Sequence, residues 1–356
     1  MGAFHRLPIR EVRPEAEEAV RIELAVPPHL RDAFRYAPGQ HLTLRTRWEG
    51  EELLRCYSVA SGVDEDALRL GVKRVAGGRV SGWLQQRRAG ETLEVLPPAG
   101  RFTVALDPAA RHRYVALAAG SGITPVLSLF RSVLACEPRS AFTLLYGNRR
   151  LSSIMFLEEL AALKDRYLDR ARVHHVLSRE RRGVELFSGR LDRDLCARLP
   201  ALLGPLGRVD AFFVCGPATM IEEVTATLAE LGVDPARVRA ERFHNPGQRA
   251  PAADAPPDPP RREAARVRLR WRGVERLVEL PASAPSVLEG VLAAGVDLPF
   301  SCKAGVCCTC RARLLEGEVQ LRRSFSLEPW EIEAGYILTC QARPKSAELL
   351  LDLDTT

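Results

Sequence analysis

Residues 245–265, NPGQRAPAADAPPDPPRREAA, hold six prolines and almost no bulky apolar side chain. Such a stretch favours extended backbone and has nothing to bury, so no single core can run through it. It acts as a linker. It divides the 356-residue chain into a large N-terminal part and a small C-terminal part, residues 266–356.

The N-terminal part changes rhythm near residue 110. Before it come short alternating runs, AVRIELAV (19–26), HLTLRTR (41–47), LRCYSVA (54–60), LRLGVKRV (68–75) and ETLEVL (91–96), punctuated by APGQ and PPAGR. Alternation with frequent turns predicts an antiparallel β-barrel or sandwich over residues 1–110. After it, apolar strands alternate with amphipathic helices: RYVALAAG (113–120), PVLSLFRSVLAC (125–136), AFTLLYGN (141–148), SIMFLEELAALKDRY (153–167), RVHHVLS (172–178), DAFFVCG (210–216) and PATMIEEVTATLAELG (217–232). That alternation predicts a doubly wound α/β domain over residues 111–244. Residues 266–356 read as a strand pair turning at Gly273, a helix over 286–296, a cysteine loop and further strands, a small α+β domain.

The cysteine loop is CKAGVCCTC, residues 302–310. Cys302, Cys307 and Cys310 follow C-x4-C-x2-C spacing, and Cys340 lies downstream in GYILTCQARP. This is the ligand arrangement of a plant-type [2Fe–2S] cluster. Structural zinc patterns use two close pairs, whereas here three cysteines precede one. Ala304, Gly305 and Thr309 are small enough for backbone N–H groups to approach the sulfides. A C-x5-C-x-C reading through Cys308 is open on paper, but omitting Cys308 restores the known spacing. Cys56, Cys136, Cys196 and Cys215 lie elsewhere and read as small buried apolar groups.

Composition excludes several classes. The net charge of +6 is spread along the chain without a basic run, which argues against nucleic-acid binding. Residues 266–356 carry twelve basic and twelve acidic side chains, so the positive excess lies in the first 265 residues. That surplus suits an anionic small-molecule cofactor. No stretch is long and apolar enough to span a membrane, and the polar N-terminus has no signal-peptide core. A cytoplasmic location is expected, where thiols stay reduced and disulfides are rare.

AAGSGITP, residues 118–125, ends a strand and opens a helix. Gly120 and Gly122 permit a tight turn and close backbone approach. Thr124 reads as the N-cap and Pro125 as the first helical residue, leaving free N–H groups for an anion. The spacing is not G-x-G-x-x-G, so a plain strand-to-helix turn is an alternative.

RCYS (55–58), GVKRVAGGRVSGWL (71–84), PAGRF (98–102), AAGSGITP, LYGNR (145–149), CGP (215–217) and ERF (241–243) occur in one order. With the cysteine loop, the whole chain resembles the ferredoxin–NADP reductase superfamily in its version fused to a C-terminal plant-type ferredoxin domain. APGQHLTL and LEPWEIEAGYILTCQARP (327–344) are similar to the reductase subunits of bacterial phenylacetyl-CoA epoxidases, which are multicomponent di-iron monooxygenases.

The resemblance implies a β-barrel flavin domain, an α/β nucleotide domain and a β-grasp ferredoxin domain. It implies FAD rather than FMN, held by Arg55 at a phosphate, Tyr57 on the ring or ribose, Ser58 near flavin N5, Val72 and Lys73 through backbone groups, and Gly78 and Ser81 at the pyrophosphate. Gly120, Gly122 and Thr124 would cradle the pyrophosphate of the pyridine nucleotide, with Cys215, Gly216 and Pro217 near the nicotinamide. Glu241 and Phe243 would complete the flavin pocket. Arg149, or Arg150 instead, would pair with a 2′-phosphate, which favours NADPH over NADH. Ser58 and Cys215 are the residues expected beside the reacting atoms. Electrons would pass from NADPH through flavin and cluster to a partner oxygenase. The chain has no E-x-x-H pair for a di-iron site of its own. A different aromatic-compound oxygenase as partner, or a non-catalytic nucleotide- or zinc-binding module, are the alternatives.

Overall fold

The computed structural model describes residues 4–180, 188–243, 264–300, 303, 305, 307–322, 327 and 329–354. The linker up to residue 263 and Cys302 lie outside the described residues. Two compact units form, one of residues 4–53 and 57–243, the other of Leu54–Cys56 and the residues from 264 on.

Six strands build the first sheet: β1 (His5–Ala16), β2 (Ala19–Leu24), β3 (His41–Trp48), β4 (Glu51–Ser58), β5 (Leu68–Lys73) and β6 (Thr92–Val95), in the order β4-β3-β6-β1-β2-β5. The β1–β2, β1–β6, β2–β5 and β3–β6 pairs are antiparallel. Just past β4, Val59 bridges Leu70 of β5, which joins the two ends of the sheet into a barrel. The period-2 alternation puts Leu7, Ile9, Ile22, Leu24, Leu42, Leu44, Leu70 and Val72 inside. A short helix, α1 (Arg79–Leu84), follows β5.

The doubly wound layer runs β7 (Arg113–Ala119), α2 (Ile123–Cys136), β8 (Ala141–Asn148), α3 (Leu157–Arg166), β9 (Ala171–Leu177), α4 (Arg193–Ala197), α5 (Leu199–Leu203), β10 (Ala211–Gly216), α6 (Ala218–Glu230) and β11 (Val238–Arg242). The sheet is parallel in the order β11-β10-β7-β8-β9. Neighbours Phe212 and Phe213 point to opposite faces. Phe213 joins Phe130, Phe142 and Tyr146 under α2 and α3, while Phe212 joins Leu195, Val224 and Leu228 under α4 and α6. Two fully buried faces explain why the strands read as continuous apolar runs.

Two helix starts differ from expectation. Helix α2 begins at Ile123 with Gly122 as N-cap, so Thr124 is not the cap; its hydroxyl donates to Ser121 O at 3.0 Å. Pro125 still falls in the first turn, where its missing N–H costs no helical bond. Helix α3 begins at Leu157 because Ile154, Met155 and Phe156 fill the core and Phe156 takes a left-handed φ of 59°.

The C-terminal unit contains β12 (Ala265–Trp271), β13 (Val274–Leu280), α7 (Val287–Ala293), β14 (Arg311–Glu316), β15 (Val319–Leu321), α8 (Pro329–Glu333), β16 (Tyr336–Leu338), β17 (Ala342–Pro344) and β18 (Glu348–Asp352). Its main sheet is ordered β13-β12-β18-β14-β16, with β12 and β18 parallel and α7 packed on it, a β-grasp arrangement. Strands β15 and β17 make a separate ribbon. Among the described residues no helix is long and apolar enough to cross a membrane.

Candidate flavin, nucleotide and cluster sites

The end of β4 carries Arg55, Tyr57 and Ser58. The Arg55 guanidinium donates to Leu54 O at 2.7 Å, Tyr57 packs against the barrel core, and Ser58 is buried. On β5 the Val72 side chain belongs to the core, and its carbonyl accepts from Gln85 Nε2 at 3.2 Å. Lys73 is half-buried, and burial together with the nearby Arg149 holds its ammonium below the usual range. The loop after it is closed by Ser81, whose hydroxyl accepts from Val75 N at 3.1 Å and donates to Gly78 O at 3.3 Å. Gly77 takes φ 70° there, and Gly78 caps α1.

Strand β5 also abuts the nucleotide turn. A Cβ on Gly71 would meet Thr124 Cγ2 at 2.7 Å and Phe156 Cζ at 2.8 Å. Val72 and Lys73, the next residues on β5, are thereby brought beside the start of α2.

In that turn Gly120 takes φ 54° with open space where a Cβ would stand, and its carbonyl accepts from Tyr146 Oη at 2.9 Å. Gly122 has a different reason to be glycine: a Cβ there would lie 2.1 Å from the Cys215 carbonyl oxygen. Cys215 is fully buried, level with Ala118 of β7 and Glu241 of β11. Burial, then Glu241, pushes its thiol well above the usual range, so it stays protonated. Gly216 packs on Met220, Pro217 caps α6, and Phe243 packs against the core. These residues collect at the carboxyl ends of β7, β10 and β11, where doubly wound sheets bind ligands. Arg149 is exposed just beyond β8. The open glycine turn leads into the N-terminus of α2, a helix start of the kind that suits a pyrophosphate.

The structure adds a residue that the sequence reading passed over. His41 on β3 is buried, with Nδ1 3.9 Å from Glu241 Oε1. It stood in the APGQHLTL motif but carried no spacing signal, because its partner lies 200 positions away.

In the C-terminal unit Cys307, Cys310 and Cys340 are all buried. The Cys310 thiol donates to the Cys340 sulfur, and this contact, against the cost of burial, holds Cys340 low; it pushes Cys310 well up. Cys307 acts electrostatically on both. The Gly305 N–H and Gln341 Nε2 also donate to the Cys340 sulfur, the latter at 3.4 Å. Lys303, Gly305 and Cys308 take φ of 50°, 78° and 52°. Lys303 and Cys308 carry side chains in that left-handed region, which costs backbone strain. Cys308 packs against the domain core. Thr339 N and Oγ1 both donate to the Cys310 carbonyl at 3.0 Å and tie the loop to the fourth cysteine. Among the described residues no three donors converge as on a single ion. A two-iron cluster divides its cysteines between its irons, and the Cys310–Cys340 pair suits such a division. The donor set fits [2Fe–2S].

Comparison with known proteins agrees with this geometry. Residues 8–104 match the oxidoreductase FAD-binding domain, residues 116–226 the oxidoreductase NAD-binding domain, and residues 269–345 the 2Fe-2S iron-sulfur cluster binding domain. The chain is 40% identical to a subunit of the 1,2-phenylacetyl-CoA epoxidase of Escherichia coli K12 over 99% of both chains. It is 39% identical to the ferredoxin reductase component of 3-ketosteroid-9-alpha-monooxygenase of Rhodococcus rhodochrous, over 97% of this chain and 96% of that one. The structure of phthalate dioxygenase reductase, described as modular for electron transfer from pyridine nucleotides to [2Fe-2S], superposes with TM-score 0.58 at 27% identity over 98% of each chain. The chain therefore belongs to the flavin- and iron–sulfur-dependent oxidoreductases that serve as reductase components of multicomponent oxygenases.

Proposed function

We propose that the chain passes electrons from NADPH through FAD and a [2Fe–2S] cluster to the oxygenase component of a phenylacetyl-CoA epoxidase. The observation that carries this reading is 40% identity, along 99% of the chain, to a subunit of the Escherichia coli epoxidase. When bound in this chain, FAD would supply the acceptor for hydride from the nicotinamide, and the cluster would supply one-electron relay to the oxygenase.

Arg55, Tyr57, Ser58, Val72, Lys73, Gly78 and Ser81 hold the flavin. Gly120, Gly122, Thr124, Gly216 and Pro217 seat the pyridine nucleotide. Cys215, Ser58, Glu241 and Phe243 wall the place where the two rings meet. Hydride transfer there rests on stacking and orientation rather than on a proton-shuttling pair. Cys302, Cys307, Cys310 and Cys340 hold the cluster. The preference for NADPH rests on Arg149: together with Lys73 it makes a positive region that suits a 2′-phosphate. A cytoplasmic location goes with this reading, because thiols that hold a cluster stay reduced there.

A second reading keeps the reductase and changes the client to a 3-ketosteroid-type monooxygenase, on the strength of 39% identity over 97% of the chain. Reconstitution separates the two. The reductase is mixed in turn with each purified oxygenase component, and NADPH consumption is compared with product formed. Coupled turnover with the epoxidase is expected. Coupling only with the steroid enzyme favours the second reading, and coupling with neither sinks both clients.

A further inference from the structure

Gln341 directly follows the fourth cysteine, in the TCQARP segment. Its side chain is buried, and one amide group serves two acceptors. Nε2 donates to Lys303 O in the cysteine loop at 2.9 Å and to the Cys340 sulfur at 3.4 Å. The backbone on either side is pinned: Gln341 N donates to Leu338 O at 2.8 Å, and Arg322 N donates to Gln341 O at 3.0 Å. The backbone that carries the amide is thus tied to the end of β16 and to the residue just past β15.

A donor on a ligand sulfur stabilises whichever state of the cluster puts more negative charge there. Adding one electron makes the cluster more negative, so the bond strengthens on reduction. Its position beside the sulfur makes the amide more than a loop clamp.

We propose that Gln341 sets the reduction potential of the cluster upward through its hydrogen bond to Cys340, as a positioning residue for electron delivery. This rests on the [2Fe–2S] assignment of the domain. The consequence is directional: replacing the donor lowers the midpoint potential, and replacing it with an acceptor lowers it further.

The test is a spectroelectrochemical titration of the full-length holoprotein, with iron content and the electron paramagnetic resonance spectrum of the reduced cluster recorded alongside. Gln341→Leu keeps the bulk and removes the donor. It is expected to weaken electron uptake about tenfold, a drop of about 59 mV for a one-electron couple. Gln341→Glu is nearly isosteric and is expected to lie lower still. Ferricyanide reduction by NADPH, which needs only the flavin, is expected to be unchanged in both. A role confined to clamping the loop would speed iron loss to a chelator and leave the potential of the loaded fraction at the wild-type value; that result overturns the proposal. So does a potential in Gln341→Glu equal to or above wild type. If Gln341→Leu does not retain iron, Gln341→Met, which keeps the length with neither donor nor charge, decides: a fall in potential supports the proposal and a wild-type potential overturns it.

Discussion

At the scale of single residues, side-chain type and environment divide the work. Gly120 and Gly122 sit two apart in one motif for unlike reasons. Gly120 needs a left-handed φ, whereas Gly122 needs no side chain because the Cys215 carbonyl occupies its place. The proposed preference for NADPH turns on Arg149, because an exposed guanidinium can grip a 2′-phosphate with two charge-assisted bonds. Arg149→Ala is expected to lower kcat/KM for NADPH by about tenfold to a hundredfold, which corresponds to about 1.5–3 kcal/mol. kcat/KM for NADH should hardly move, since NADH has no such phosphate. Equal losses for both nucleotides would assign Arg149 to the shared half of the cofactor, and no loss for either would pass the role to Arg150.

At the scale of elements, barrel and nucleotide domain are joined by charge as well as by packing. Glu159 on α3 accepts from Arg21 of β2 and from Arg131 of α2. Arg131 also reaches Glu65 at 2.7 Å, Glu65 meets Arg69 of β5 at 2.5 Å, and Arg69 donates to Glu23 of β2 at 2.9 Å. Against the cost of burial, Arg69 and Arg10 hold the Glu23 carboxyl below the usual range. A single exposed pair is worth little, but this network is largely shielded and each member serves two partners. Removing Glu159 leaves two shielded guanidinium groups without it. Glu159→Ala is therefore expected to destabilise the FAD-binding unit by about 2 kcal/mol. The shift in urea midpoint, followed by release of flavin fluorescence, measures this. The difference should shrink in high salt as screening weakens the wild-type network. A midpoint equal to wild type at low salt would show that packing around Gly71 suffices.

At the scale of the whole molecule, the two units have separate cores. Their cofactors should therefore be separable by substitution. Cys340→Ser is expected to remove the iron–sulfur absorption and abolish electron delivery to the oxygenase. Flavin content and ferricyanide reduction by NADPH should persist. Loss of both activities together would mean that the ferredoxin domain supports the flavin fold. Cys308→Ala provides the matched control. The packing of Cys308 on the domain core predicts that iron content is retained.

Local pattern made much of this legible from the chain alone. Period-2 runs and a strand–helix alternation specify which residues face a core, because burial at those periods needs no knowledge of the partner. Cysteine spacing points to a cluster loop, because three cysteines in nine residues at C-x4-C-x2-C spacing match a known ligand pattern. Strand β1 escaped because Pro8 and Pro14 interrupt its alternation, and β11 because its residues are all half-buried and carry no contrast. Only the tertiary structure brought His41 to Glu241, Gln341 to Lys303 and Glu159 to Arg21. Each contact joins residues from separate elements, and such pairs depend on how the elements pack, which no local window of sequence contains.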